Sequence, residues 1–190
     1  MSHDPPRPLY RDGALVALGR GGERHVEDAV GMLLDCHQRI RSFAALAVRL
    51  STSASEPETS RVDAARRLHR YFTIALPLHV ADEEQGLKPR LLAVGGGEVA
   101  AALATMTREH EDIERRLDAL APLWEALVRE PDRLEPIART SESALELERL
   151  FVNHLALEES TLFPAARRLP QDALAALALE MRARREPGSP

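Results

Sequence analysis

Two segments of this 190-residue chain place a glutamate four residues after a histidine: HVADEEQGLKP from His79 to Pro89, and HLALEESTLFP from His154 to Pro164. Six of their eleven positions are identical. Residues four apart on an α-helix share a face, with Cβ atoms about 5–6 Å apart. His79 with Glu83, and His154 with Glu158, would each aim an imidazole and a carboxylate at one point, and two side chains so placed can hold a metal ion. Two further histidines, His37 and His110, each lie on an apolar stripe of their own.

The elements that must position these groups read as helices. Val26, Val30, Leu33, His37, Ile40, Ala44 and Ala47 recur at steps of four and three, the pattern of an apolar helix face. This first helix is expected from about Glu23 to Leu50, with the polar stretch 51–60 as a loop. A second stripe runs Ala65, Leu68, Phe72, Leu76, His79, Glu83 and Leu87, with Pro77 inside it as a kink, a stop expected near Leu87 ahead of Pro89, and a short helical turn after it. After the glycines at 95–97, a third helix carries Leu103, Met106, His110, Ile113, Leu117, Leu120, Trp124 and Leu127, and REPDR at 129–133 reads as a turn. A fourth carries Thr140, Ala144, Leu147, Phe151, His154 and Glu158 and is expected to end near Leu162, before Pro164. The fold class is therefore all-α, an up-down-up-down four-helix bundle over 23–168. A Pro- and Gly-rich N-terminal arm (1–22), anchored by Tyr10 and Leu15 to Leu18, precedes it. A C-terminal segment (169–190), with an amphipathic helix from Gln171 to Arg185, braces the bundle from outside.

In such a bundle, residues on adjacent helices lie level when they are equally far from the connecting turn. The midpoint of His37 and His79 is residue 58, in the polar loop; that of His79 and His110 falls beside the glycines; that of His110 and His154 is residue 132, in REPDR. The four histidines are thus expected at one level. His110 follows His37 by 73 residues and His154 follows His79 by 75, so the chain reads as two similar helix pairs with an approximate two-fold relation. Six polar groups on core-facing stripes need partners, because a buried unpaired carboxylate or imidazole is costly. Each one alone has a plain reading as a satisfied core residue or a helix-surface pair. Their coincidence at one level argues for metal. Imidazoles and carboxylates without thiolate suit iron, manganese or zinc. Zinc prefers four ligands, so six residues shared by two ions fit iron better.

The set His37, His79-xxx-Glu83, His110, His154-xxx-Glu158 resembles the hemerythrin-like, or HHE cation-binding, family over roughly residues 25–165, and the EE…LFP of the second copy looks much like that family's motif. The resemblance implies a non-haem di-iron centre, two iron ions with a bridging oxo or hydroxo group. His37, His79, His110 and His154 would be terminal ligands, and Glu83 and Glu158 bridging carboxylates. It implies a protein that binds O2 or a related small molecule (NO, peroxide) or that senses or stores iron. A di-iron oxidase or peroxidase using the same centre is the competing reading. Oxygen-carrying members supply a fifth histidine one turn along the third helix, where this chain has Glu114. Glu114 is either an extra ligand or, more plainly, a surface glutamate. The four-histidine pattern resembles iron- or oxygen-responsive members more than carriers.

Other residues have two readings each. Glu84 and Glu159 follow the bridging positions and are either acceptors behind the imidazoles or solvated. Asp82 and Glu111 read as surface charges, Tyr71 as packing, and His25 and His69 as ordinary. Cys36 reads as a buried inert thiol. As the only cysteine it forms no intrachain disulfide and cannot build a thiolate zinc site. The formal charge of −5 gives no support for nucleic-acid binding, and the arginines at 182–185 read as a solvated helix end. No HExxH string is present, which excludes that class of zinc protease, and HxxxE differs from the ExxH of ferritin-like oxidases. With no signal-peptide pattern and no apolar run of membrane length, a cytoplasmic protein is expected, without membrane partners.

Overall fold

Asp28 opens the first helix: its side chain accepts a hydrogen bond from the Val30 N–H at 3.1 Å and satisfies one of the unpaired donors of the first turn. The computed structural model describes residues 28–132 and 135–186. Within them the chain forms five helices and no strand. They are α1 (Ala29–Ser51), α2 (58–94), α3 (Gly97–Arg129), α4 (135–166) and α5 (Gln171–Ala183). The N-terminal arm with Tyr10 and Leu15 to Leu18, together with His25, Val26 and the expected start of α1 at Glu23, lies outside the described residues.

Every described residue of the four apolar stripes is buried, which is what places the helices: α1 packs on α2 and α4, and α3 packs on the same two. The core divides into two clusters. One holds Ile40 to Leu50 of α1, Ala65 to Leu76 of α2, Ile113 to Leu127 of α3 and Ile137 to Leu155 of α4. The other holds Ala29 to Leu33, Leu87 and Leu91, Ala102 to Met106, and Leu162 to Ala166 with α5. The start of α1 thus meets the end of α2, and the start of α3 meets the end of α4, so chain-adjacent helices run in opposite senses. Phe72 anchors the first cluster, its ring 5.5 Å from Trp124 and 5.9 Å from Phe151. Truncating one of these aromatics to alanine costs about 3–5 kcal/mol. Between the clusters, at the same level on all four helices, lie His37, His79 with Glu83, His110, and His154 with Glu158.

Neither α2 nor α4 ends where its proline suggested. α2 continues through Pro89 to Val94, and α4 through Pro164 to Ala166. Each does so by a wide turn with i→i+5 hydrogen bonds, over Asp82–Leu87 and Glu158–Leu162, closed by Lys88 N–H donating to the Glu83 carbonyl and Phe163 N–H to that of Glu158. A third such turn, Tyr71–Ala75, precedes Pro77. A proline ring clashes with the carbonyl four residues back in a regular helix, and the wider turn moves that carbonyl away. The same turn keeps the stripe in phase. His79, Glu83, Leu87 and Leu91 are spaced four apart, as are His154, Glu158, Leu162 and Ala166, and all are buried. At 3.6 residues per turn, each such step overshoots a full turn by about 40°. The extra residue in the wide turn absorbs that drift, and wide turns of this kind occur often at functional sites.

α5 packs on α1 and on the wide turn of α2, burying Leu174, Leu177, Ala178 and Met181. Gly86 makes this close approach possible: a Cβ built there would stand 2.6 Å from Leu177 Cδ1. Two expectations are corrected here. Asp82 is not a surface charge. It is fully buried and accepts from Arg184 at 2.9 Å and from Arg185 at 2.6 Å. Those two arginines are therefore not a freely solvated helix end, since a buried carboxylate must be paired and α5 brings the pairing cations. Among the described residues, no helix is long and apolar enough to cross a membrane.

Candidate metal centre

Glu83 and Glu158 are fully buried at mid-bundle and face the Nε2 atoms of the four histidines. Glu83 lies 3.2 Å from His79 Nε2 through Oε1 and 3.2 Å from His110 Nε2 through Oε2. Glu158 lies 3.1 Å from His37 Nε2 through Oε2 and 3.4 Å from His154 Nε2 through Oε1. The imidazoles gather in two pairs, His37 with His79 (ring centroids 5.4 Å apart) and His110 with His154 (4.6 Å).

These close approaches are not hydrogen bonds. All four carboxylate oxygens, and Nε2 of His37, His79 and His110, are buried without a hydrogen-bond partner. Buried polar atoms are rarely left so, and here they cluster. Two groups of four offer ligand atoms within 4.8 Å of one another: His37, His79, Glu83 and Glu158, and Glu83, His110, His154 and Glu158. Both groups contain both carboxylates. The donor set fits two cations that share two carboxylates, each with two imidazoles of its own.

Electrostatics point the same way. Burial pushes the Glu158 carboxyl up and the nearby Glu83 charge pushes it further, against His154 and His37. Burial acts likewise on Glu83, but His79, His110 and His37 outweigh it and hold Glu83 well below the usual carboxylate range. Burial opposes charge on His37, yet Glu158 and Glu83 overcome it and raise the imidazole to about 10. His110 is raised to about 9 in the same way, by Glu83 and Glu84 against its burial. His79 is buried more deeply, and desolvation wins there, lowering it to about 4. Without a cation, protons on His37 and His110 answer the two carboxylates.

Behind the imidazoles stands a second set of carboxylates. Glu159 lies 2.8 Å from His37 Nδ1, and Arg41 donates to the same oxygen at 2.8 Å. Glu84 lies 3.0 Å from His110 Nδ1 and is held by Thr107 at 2.8 Å and Lys88 at 2.6 Å. Glu84 and Glu159, for which two readings were open, both lie within hydrogen-bond distance of an imidazole Nδ1. In each of the two HxxxEE segments the first glutamate thus faces one histidine of its own helix and one of a neighbouring helix, and the second glutamate lies behind the ring of that same neighbour. Glu109, which sequence reasoning missed, lies 3.1 Å from His154 Nδ1. Its signal was only an acidic residue beside His110. Among the described residues nothing stands behind His79, whose Nδ1 is buried without a partner.

Glu114 joins neither group. It is exposed, at an apolar cavity of about 400 Å³ between α2 and α3 whose wall includes His110. Lys88 and Phe163, which differ between the two segments, differ in use as well: Lys88 holds Glu84, while the Phe163 ring packs 4.9 Å from His37. Tyr71 packs, stacked on Phe43 at 3.9 Å.

No curated protein matches this chain. The family model described as the hemerythrin HHE cation binding domain matches residues 28–166, the span that carries all six central residues and the three carboxylates behind them. The chain belongs to the hemerythrin HHE cation-binding family.

Proposed function

We propose that this chain is a non-haem di-iron protein that binds O2 or a related small molecule such as NO or peroxide. One iron ion would be held by His37, His79, Glu83 and Glu158, and the other by His110, His154, Glu83 and Glu158. The observation that carries the reading is the overlap of the two groups through both buried carboxylates, whose oxygens have no other partner. Imidazole and carboxylate donors without thiolate suit iron, and Cys36 belongs to neither group. Four protein residues per ion, two of them shared, leave room for a further ligand. When bound, the metal pair supplies open, redox-active positions for that ligand. The chain's own residues fix the imidazoles from behind, through Glu159, Glu84 and Glu109, and surround the site with apolar side chains. The cavity walled by Phe72, Leu76, Val80, Ile113 and Leu117 ends against His110 and offers an apolar diatomic molecule an approach.

The test is metal analysis of the purified protein, with its visible spectrum recorded under argon, after air, and under argon again. Two irons per chain and an absorption that changes reversibly with O2 are expected. Fewer than two metals per chain, or a spectrum indifferent to O2, NO and peroxide, would remove this reading.

A further inference from the structure

The two halves of the chain are not equal behind their histidines. Glu109 precedes His110 by one residue and stands behind His154. The offset of 73 residues that relates His110 to His37 carries Glu109 onto Cys36. By this offset Cys36 is the first half's counterpart of Glu109, a thiol where the second half has a carboxylate. Beside it lies a cavity of about 430 Å³ whose wall includes both Cys36 and His79.

The cavity is built for negative charge. Arg39, Arg67, Arg70 and Arg185 line it, and among the described residues no acidic one does. Arg185 is paired with Asp82, and Arg67 with Asp63 at a loose 3.7 Å. Among the described residues Arg39 donates only to Cys36 Sγ, at 3.1 Å, and Arg70 has no carboxylate partner. The rest of the wall is apolar, from the stacked Phe43 and Tyr71 rings to Ile74 and Leu78. His79 is 3 % exposed and its Nδ1 is unpartnered.

We propose that this cavity binds a small organic carboxylate with an apolar body, whose head group stands behind His79 where Glu109 stands behind His154. Arg39 and Arg70 supply charge-assisted hydrogen bonds, and the Phe43–Tyr71 stack takes the apolar body. The cavity and its charges belong to the chain itself, so this assignment does not depend on which cation the centre holds.

Calorimetric titration with benzoate at low ionic strength tests it, with benzamide as the uncharged isostere and acetate as the head group alone. Benzoate is expected to bind at one site per chain, more tightly than acetate, and benzamide not to saturate. In Arg39→Gln/Arg70→Gln, two exposed positions, benzoate affinity should fall by about tenfold or more, since a charged hydrogen bond is worth roughly that factor. Cys36→Glu should abolish benzoate binding by supplying the carboxylate from the chain. Absence of saturable benzoate binding, equal binding of benzamide, or unchanged affinity in the double arginine variant would each overturn the site. Acetate binding as tightly as benzoate would overturn the apolar body. Should Cys36→Glu fail to fold, the arginine variant decides.

Discussion

Glu159 stands 2.8 Å behind His37 Nδ1, although its own helix delivers the preceding residue, Glu158, to the opposite side of the same ring at 3.1 Å. Adjacent positions of one helix thus flank a single imidazole at both nitrogens. With a cation bound, the ring would donate from Nδ1 to Glu159 and offer its Nε2 lone pair to the cation. Carboxylates so placed raise the basicity of a ligating histidine and hold its orientation, and their loss typically lowers metal affinity 10- to 100-fold. Glu159→Gln is expected to weaken metal retention by about that factor while leaving the helical content unchanged. Competition with a chelator, followed alongside circular dichroism, measures both. Retention equal to wild type would mean that the charge of Glu159 adds nothing to metal binding.

Sharing of both carboxylates makes a second, sharper expectation. His154 belongs to one of the two groups, whereas Glu158 belongs to both. His154→Ala should therefore lower the metal content from two per chain towards one, and Glu158→Ala towards none. Metal content by mass spectrometry separates them. If both variants lose the same amount, the ions do not share Glu158.

His37, His79, His110 and His154 were legible because each lies on an apolar stripe, and the turn midpoints made them level. Glu83 and Glu158 followed from the four-residue step. Beyond α2 only a short helical turn was expected, and the unbroken continuation of α2 and α4 past their prolines was not read, although its signal is present. Three four-residue steps in a row, His79 to Leu91 and His154 to Ala166, cannot stay on one face of a regular helix. Asp82 was misread because nothing local reveals its partners: Arg184 and Arg185 lie about a hundred residues away, on a helix whose docking face is a matter of tertiary packing. Glu109 escaped for the same reason, since the imidazole it serves belongs to another helix.

Docking of α5 can be tested at Gly86. A methyl group there meets Leu177 Cδ1 at 2.6 Å, and Leu177 is fully buried, so its side chain has little room to turn away. Overpacking of this kind costs about 1–3 kcal/mol. Gly86→Ala should lower the unfolding free energy by that amount in urea titration. Combined with Leu177→Ala it should cost less than the sum of the two single changes, because the residues are in contact. Strict additivity would place α5 elsewhere.

The pH dependence of the metal-free protein follows from His37 and His110. Their pKa values in the folded chain, about 10 and about 9, lie above the unfolded value of 6.5. Each therefore contributes stability that is fully present below pH 6.5 and is lost as pH rises through the folded value. Between pH 7 and pH 10 the folded chain holds more protons than the unfolded one, and stability falls by up to about 1.4 kcal/mol per pH unit for each proton. His79, lowered to about 4, works in the opposite sense but only below pH 6.5, where stability is lost as pH falls. Metal-free protein is thus expected to melt at progressively lower temperature from pH 7 to pH 10. A cation must displace the protons on His37 and His110 to reach their Nε2 atoms, so loading at pH 7 should release about two protons per chain. Titration calorimetry in two buffers of different ionisation enthalpy counts them. Uptake without proton release would mean that these two imidazoles are not ligands, whatever their distance from the carboxylates.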